Sequence, residues 1–384
     1  MKKLRIGHAG CGSVSLRGIL PHVTQPDAQR QLELSAVCDV DGERARAVAS
    51  QFGARKHYDD FERMVKDDDL DLIVIATPIP LHAQQAELAL RHGKHVYVMK
   101  SMAVSVEEAD RVLRAVEDTG LQYVAAPGQM LAPSIQKIAA MVRDGDFGKL
   151  YWGFANNTGG GHGIEIYESG DHTIRRDPTW YYKKPGGGTM FDLTVYSLHS
   201  LTGILGPARA VTGMSGIVRP TRQFGEQVVD VEMDDNTWLM LDFGDNCYVT
   251  AGSALSQGGK SLFWGQLALF GSDGGIEVTK IHQASGWPSH MYVKRNGRSE
   301  EIVVDIREHP LINEAHAAIE EPHCYVDLMH LAECIKNGTK PVASIEHARH
   351  VVEIIEKGYL AAQTGQRQTL STTFDTGLDG KEDQ

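Results

Sequence analysis

Leu4-Arg5-Ile6-Gly7-His8-Ala9-Gly10-Cys11-Gly12-Ser13-Val14-Ser15 decides how the rest of the chain is read. The short apolar run Leu4–Ala9 is a strand, and the glycine turn behind it opens a helix. Gly10, Gly12 and Ser15 spell G-x-G-x-x-S, with serine where the usual fingerprint ends in glycine or alanine. In that fingerprint the first glycine permits the tight turn. The second lets backbone N–H groups approach a pyrophosphate at the helix N-terminus. A glycine-rich surface turn is the bland alternative for so short a motif.

Outward from this turn the signals alternate. Leu34–Cys38, Leu72–Ala76, His95–Met99 and Gln122–Ala126 are further short apolar runs, the second of them (LIVIA) reading as a strand buried on both faces. Helical patterns lie between them. The clearest follows Ser105, where Ser105 and Glu108 have capping-box spacing, Ala109, Val112, Leu113 and Val116 form one apolar face, and Gly120 ends the helix. Alternating strands and helices imply right-handed crossovers and a parallel sheet, a doubly wound Rossmann arrangement. Beyond residue 126 the pattern changes to a helix over Ser134–Arg143, a Gly- and aromatic-rich stretch from Tyr151 to Gly188, and a helix near Leu193–Thr202. Strand-like runs follow at Ala208–Val218, Thr237–Phe243, Tyr248–Ala254, Leu262–Phe270 and Glu301–Asp305, then helices near 323–336 and 345–362. The expected fold is α/β: a dinucleotide-binding Rossmann domain over 1–125, an α/β domain with a large, mostly antiparallel open sheet over 126–370, and a polar acidic tail over 371–384.

Composition bounds the partners. The 384 residues carry 38 Lys+Arg against 50 Asp+Glu, a net charge of −12, which disfavours nucleic acid and anionic membranes. Five scattered cysteines without C-x-x-C spacing suit a reducing compartment. With no apolar run of membrane-spanning length and the early glycines breaking a signal-peptide pattern, the expected location is the cytoplasm. The histidines at 162, 172, 309, 316 and 323 lack zinc-site spacing, so no metal is expected.

Asp39, at the end of the second strand, can accept hydrogen bonds from adenosine ribose hydroxyls, although it lies further from Gly10 than the roughly 20 residues typical of the motif. An acid there favours NAD over NADP. Thr77-Pro78-Ile79-Pro80-Leu81-His82 follows the LIVIA strand, at the end where ligands bind in parallel sheets. Lys100 ends the next strand and can reach the same cleft, or be an ordinary solvated lysine. Further on, Gly186-Gly187-Gly188 precedes Asp192, Tyr196 and His199, spaced i, i+4, i+7 on one helix face. Removing a hydride from an alcohol needs a group to take the hydroxyl proton, and Tyr, Lys or His serve. The same spacing also fits an N-cap followed by an aromatic core stripe.

These motifs in this order resemble the Gfo/Idh/MocA oxidoreductases, over roughly residues 3–365. The resemblance rests on the fingerprint, T-P-x-x-x-H, Gly93-Lys94-His95-Val96, the lysine motif, the triple glycine with D-x-x-x-[HY], and Pro341-Val342 leading into Glu346-His347-Ala348-Arg349. It implies NAD(P)-linked hydride transfer at a ring hydroxyl or ketone of a sugar, glycoside or cyclitol, in a homodimer or homotetramer formed through the C-terminal sheet. It implies a cofactor held by Gly10, Gly12, Ser13, Val14, Asp39, Thr77, Pro78, His82, Lys100 and Gln129. Catalysis would fall to Lys100, Asp192 and Tyr196 with His199 in reserve, and substrate contacts to Asn156, Trp180, Asp192 and Tyr196. Asn157, Glu165, Asp171 and His172 offer further hydroxyl contacts. Two departures stand out: the family's E-K-P is Met99-Lys100-Ser101, and Tyr196 stands where many members have histidine and others tyrosine. Two other functions stay open. One is an NAD-dependent glycosidase working by transient oxidation and elimination; the other is a non-catalytic sugar or dinucleotide sensor.

Overall fold

The computed structural model describes residues 3–159, 161–163, 165–169, 172–255 and 264–376, with side chains excluded over 165–176. Six strands form the first sheet: β1 (Leu4–Ala9), β2 (Leu32–Cys38), β3 (Lys56–Tyr58), β4 (Leu72–Ile75), β5 (His95–Val98) and β6 (Tyr123–Ala125). All pair in parallel, in the order β3-β2-β1-β4-β5-β6. The order reverses direction between β1 and β4, and a crevice opens there beyond the strand ends. β4 is buried on both faces, as its unbroken apolar run requires, and burial of each such side chain contributes about 1.5–3 kcal/mol relative to exposure. The helix Val106–Thr119 starts where the Ser105 hydroxyl accepts from the Glu108 N–H and ends at Gly120.

The second sheet has nine strands. In chain order the remaining strands are β7 (Leu150–Gly159), the hairpin β8 (Glu165–Ser169) and β9 (His172–Arg176), β10 (Ala210–Gly216), the hairpin β11 (Thr221–Phe224) and β12 (Gln227–Asp230), β13 (Asn236–Asp242), β14 (Tyr248–Leu255), β15 (Gln266–Gly271), β16 (Gly275–Ile281), β17 (Pro288–Arg295), β18 (Arg298–Val303) and β19 (Gln368–Thr369). The sheet order is β18-β17-β16-β15-β7-β14-β13-β10-β19, antiparallel except for β7 with β14. The sequence reading found neither β16 nor β17, whose charged and polar residues blur the apolar alternation.

One face of this sheet packs on the helices Val195–Leu205 and Ile345–Thr364. The opposite face carries Trp152, Met214, Trp238, Met240, Tyr248 and Tyr292, all exposed. The helix Ile345–Thr364 also reaches the first sheet: its Ile345, Ala348 and Val352 share a core with Ala109, Val112 and Ala115. The polar tail expected from 371 is packed at its start, since Ser371 and Thr372 donate to Glu353 and Phe374 stacks on His347 at 4.2 Å. Residues 377–384 lie outside the described residues.

Candidate active site

Two helical segments deliver the site, and each has a π turn near its start. The first follows β1: the chain is helical from Ser13, with a π turn over Ser15–Ile19 running into Leu20–Val23. Ser15, the irregular last letter of the fingerprint, turns inward; its hydroxyl donates to the Gly10 carbonyl at 2.5 Å and meets His8 Nε2 at 2.8 Å. The second π turn, Met190–Thr194, carries Asp192 and runs into the helix Val195–Leu205 with Tyr196. The preceding glycines press backbone onto three different neighbours. A Cβ on Gly186 would strike Val104, one on Gly187 the Tyr181 carbonyl, and one on Gly188 the Asp234 carboxylate. They fit the turn to the protein itself.

A cavity of about 710 Å³ runs from the Gly10–Gly12 turn to Tyr196, lined along its length by Asp39, Thr77, Lys100 and Asp192. Gly10 has φ +89°, and a Cβ there would collide with the Ala76 carbonyl at the end of β4. At Gly12 a Cβ would meet nothing within 4 Å: the backbone is bare where a ligand must come close. Asp39 is buried; its Oδ2 accepts from the Cys11 N–H at 2.9 Å and its Oδ1 from the Asp41 N–H at 3.0 Å. Arg44 Nη1 lies 3.4 Å from Asp39 Oδ1 and Nη2 lies 3.4 Å from Asp41. A bare cradle at a helix start, beside a carboxylate at the end of the second strand, is what a dinucleotide with free ribose hydroxyls requires.

At the other end, Lys100 Nζ pairs with Asp192 Oδ1 and donates to the Asp192 carbonyl at 3.0 Å. His162 Nε2 bonds the second oxygen, Oδ2, at 2.9 Å. Burial alone would raise the Asp192 pKa, but the Lys100 ammonium and the His162 imidazole outweigh it and hold the carboxyl well below its ordinary range. Asp192 is therefore ionised. The Lys100 ammonium also sits 5.0 Å above the Tyr196 ring. Burial, reinforced by the Glu321 carboxylate, pushes the Tyr196 phenol well above its usual pKa, so it holds its proton. Ser101, where the family has proline, donates to the Phe191 carbonyl at 3.1 Å, fastening the lysine loop to the Asp192 turn. His82 bonds both Thr77 O and Ser101 O at 2.7 Å and ties the two loops together.

The structure brings Gly10, Gly12, Ser13, Val14, Asp39, Thr77, Pro78, His82, Lys100, Trp180, Asp192 and Tyr196 to this one cavity. Four expected residues lie elsewhere. His199 is buried against His347 at 4.8 Å, and burial lowers its pKa to about 3. A π turn winds less per residue than an α-helix, so the i, i+7 spacing no longer puts Asp192 and His199 on one face. Gln129 sits behind Tyr196, bordering a separate small cavity of about 30 Å³ and 3.5 Å from the Ser200 hydroxyl. Asn156 lies on the sheet's open face, because along β7 it alternates with Ala155 and Asn157, which face the helices. Asn157 is spent internally, on Leu193 O, Ser197 Oγ and the Gly265 N–H. Asp171 lies outside the described residues, as do the side chains of Glu165 and His172.

His162, Arg17, Trp264, Glu321 and His323 line the cavity without having been singled out as site residues. Only the Gly- and aromatic-rich stretch from Tyr151 to Gly188 hinted at His162; the others come from distant segments whose convergence no local pattern records.

Comparison with known proteins bears on the two domains. Residues 4–126 match the family described as "Oxidoreductase family, NAD-binding Rossmann fold", and residues 135–277 match the "GFO/IDH/MocA C-terminal domain". The chain belongs to the Gfo/Idh/MocA oxidoreductase family. Like other members it carries an NAD-binding Rossmann domain. It is 33% identical to D-apiose dehydrogenase of Paraburkholderia graminis over 121 residues, 32% of each chain, so that match spans about a third of the relative's length. It is 25% identical to scyllo-inositol 2-dehydrogenase (NAD(+)) of Bacillus subtilis over 306 residues, 78% of each chain. Levoglucosan dehydrogenase, solved with NADH and levoglucosan, shares the fold with a TM-score of 0.79 at 16% identity, over 97% of this chain and 100% of that one.

Proposed function

We propose that this Gfo/Idh/MocA protein is an NAD-dependent oxidoreductase that moves hydride between the nicotinamide and a ring carbinol carbon of a sugar, glycoside or cyclitol. One observation carries the reading: the ionised Asp192, held between Lys100 and His162, shares a cavity with the bare Gly12 cradle and Asp39. NAD, when bound, supplies the hydride acceptor or donor. Lys100 donates to the reacting oxygen and stabilises the charge that develops on it. Asp192 fixes the lysine and the imidazole in place. Tyr196 gives its proton to the reacting oxygen in reduction, and the phenolate so formed takes the hydroxyl proton back in oxidation, one path serving both directions. His162 holds the second carboxylate oxygen of Asp192. Trp180 offers a ring face to sugar C–H groups. Asp39 favours NAD over NADP, because a 2′-phosphate would meet its carboxylate and Arg44 is already engaged by Asp39 and Asp41.

The proposed division of labour follows the two sheets, with cofactor binding over residues 1–125 and substrate binding and assembly over 126–370. The apolar open face of the second sheet supports a homo-oligomer formed through it. Five free, buried cysteines fit the cytoplasm; among the described residues no helix is long and apolar enough to cross a membrane.

The test is a panel of D-apiose, D-xylose, scyllo-inositol, levoglucosan and aryl glycosides with NAD and NADP, followed by nicotinamide absorbance. Turnover is expected with NAD on at least one free sugar or cyclitol. Lys100→Met should cost at least about 100-fold in kcat, in the range for loss of a charge-stabilising group. Tyr196→Phe should lower kcat/KM for oxidation and for reduction by the same factor. Aryl release without net NADH would mean a glycosidase, and tight NADH binding without any turnover would mean a sensor.

A further inference from the structure

The segment Ala318–Cys324, which runs into the helix Pro322–Asn337, packs on the first helical segment and brings three polar residues to the cavity, Glu320, Glu321 and His323. Several independent contacts hold it there. Gly18 leaves room for it, since a Cβ on Gly18 would press on Glu321 Cβ and Cγ. Arg17 clamps it with Nη1 on Glu320 at 2.7 Å and Nη2 on Glu321 at 2.5 Å. The Glu321 N–H donates to Ala284 O at 3.0 Å, and His22 Nε2 bonds Glu320 O at 3.1 Å.

So held, Glu321 takes φ +57°, a left-handed conformation unfavourable for a residue with a Cβ. Glycine would fit without strain. A strained, over-determined residue at a cavity wall is an outlier from which a role can be inferred. The second sign is His323. It is almost wholly buried, its Nδ1 has no hydrogen-bond partner, and the nearest acid oxygen, Glu321 Oε2, stands 3.4 Å away outside bonding geometry. That nitrogen's hydrogen bond is still to be made. His323 also packs edge-on to Tyr196 at 5.9 Å, and Lys100 Nζ lies 5.0 Å from the centre of the same ring, so the pair adjoins the reacting groups.

We propose that Glu321 is a specificity-determining carboxylate of the substrate cavity: it accepts a hydrogen bond from a hydroxyl of the polyol other than the reacting one, with Arg17 as its positioning residue and the unpartnered His323 Nδ1 beside it open to the same ligand. This rests on the oxidoreductase reading above and names a second pole of the same site. An ionised acceptor aimed at a hydroxyl rejects ligands lacking it far more strongly than an apolar wall can. The neighbouring Cys324 brings three metal-ligand types within 4.8 Å of one another. Its thiol, however, is buried against Met99 Sδ at 3.8 Å, and burial raises its pKa far above the ordinary value, which makes it a poor ligand.

The test is titration of the full chain, saturated with NADH, against D-apiose, D-xylose, scyllo-inositol and levoglucosan, then against monodeoxy analogues of the tightest binder. Glu321→Gly is the decisive variant, because it deletes the carboxylate and relieves the backbone. Its melting temperature should not fall and its NADH affinity should hold within twofold, while sugar affinity drops at least tenfold. The wild-type preference for the parent sugar over one deoxy analogue should collapse to within twofold. Glu321→Asp should restore part of that preference, which a purely structural role would not explain. Unchanged sugar affinity in Glu321→Gly overturns the proposal alone. Sugar binding that is lost with EDTA and restored by zinc overturns it in favour of a metal site. Wild-type protein that binds NADH but no sugar brings down the oxidoreductase reading, and this proposal with it.

Discussion

Gly10 and Gly12 stand two residues apart in one turn and answer to opposite constraints. Gly10 is held by the protein, with φ +89° and the Ala76 carbonyl where a Cβ would stand. Gly12 faces open space. Gly10→Ala should therefore destabilise the fold by about 1–3 kcal/mol, the cost of left-handed strain plus a backbone clash. Gly12→Val should leave the melting temperature nearly unchanged and weaken NADH binding more than tenfold. Thermal melts beside NADH fluorescence titrations separate the two, and a Gly12→Val protein that binds NADH normally would remove the cradle from the cofactor site. The fingerprint was legible at this scale because its physics is local. Asp192 and Tyr196 were legible from helical spacing; His199 was not, because a π turn cannot be read from side-chain types.

At the scale of elements, the turn Met190–Thr194 is held from below by a buried carboxylate in another strand's approach. Asp234 accepts from Thr189 Oγ1 at 2.5 Å, the Met190 N–H at 3.2 Å, Thr237 Oγ1 at 2.6 Å and Tyr359 OH at 2.5 Å. Burial raises its pKa and these donors offset part of that rise. Asp234→Ala leaves the donors without an acceptor and should cost about 3 kcal/mol. Because the same turn carries Asp192, kcat should fall in step, although Asp234 does not line the cavity. An Asp234→Ala enzyme with wild-type melting and turnover would show that the turn holds itself. Asp234 is invisible in the sequence as a site-supporting residue. It lies 42 positions after Asp192 and meets the turn only through the packing of the second sheet.

For the whole molecule, buried histidines set the response to pH. Burial lowers the pKa of His8 and His350 to about 4 and of His22 and His199 to about 3, whereas an unfolded chain protonates histidine near 6.5. Between about pH 6.5 and 4 the unfolded state takes up protons the native state refuses, so stability falls as pH falls, by up to about 1.4 kcal/mol per pH unit for each such histidine. Asp327 works the other way: burial raises its pKa to about 7, so its share of stability is lost as pH rises from about 4 through 7. The histidines outnumber it, and the melting temperature should drop from pH 7 to pH 5. Asp327→Asn should steepen that drop, and a flat profile would contradict the burial of these rings. The open face of the second sheet makes a separate prediction. Trp152→Glu with Trp238→Glu should lower the mass seen in sedimentation if the face is an interface, and leave it unchanged if the chain is a monomer. By itself the sequence determined the alternating βα half and the glycine turn with Asp39 after the second strand, because each depends on periodicity or on neighbours a few residues away; Lys100, Asp192 and Tyr196 were pointed to by the resemblance of their motifs to a known family, not by spacing alone. Only the tertiary structure decided that His199 and Asn156 face away from the cavity and that His162, Arg17, Glu321 and His323 face into it. Side-chain direction at those positions follows from a π turn, strand alternation in a given register and the docking of segments some 300 residues apart, none of which leaves a local trace in the −12 chain's composition or spacing.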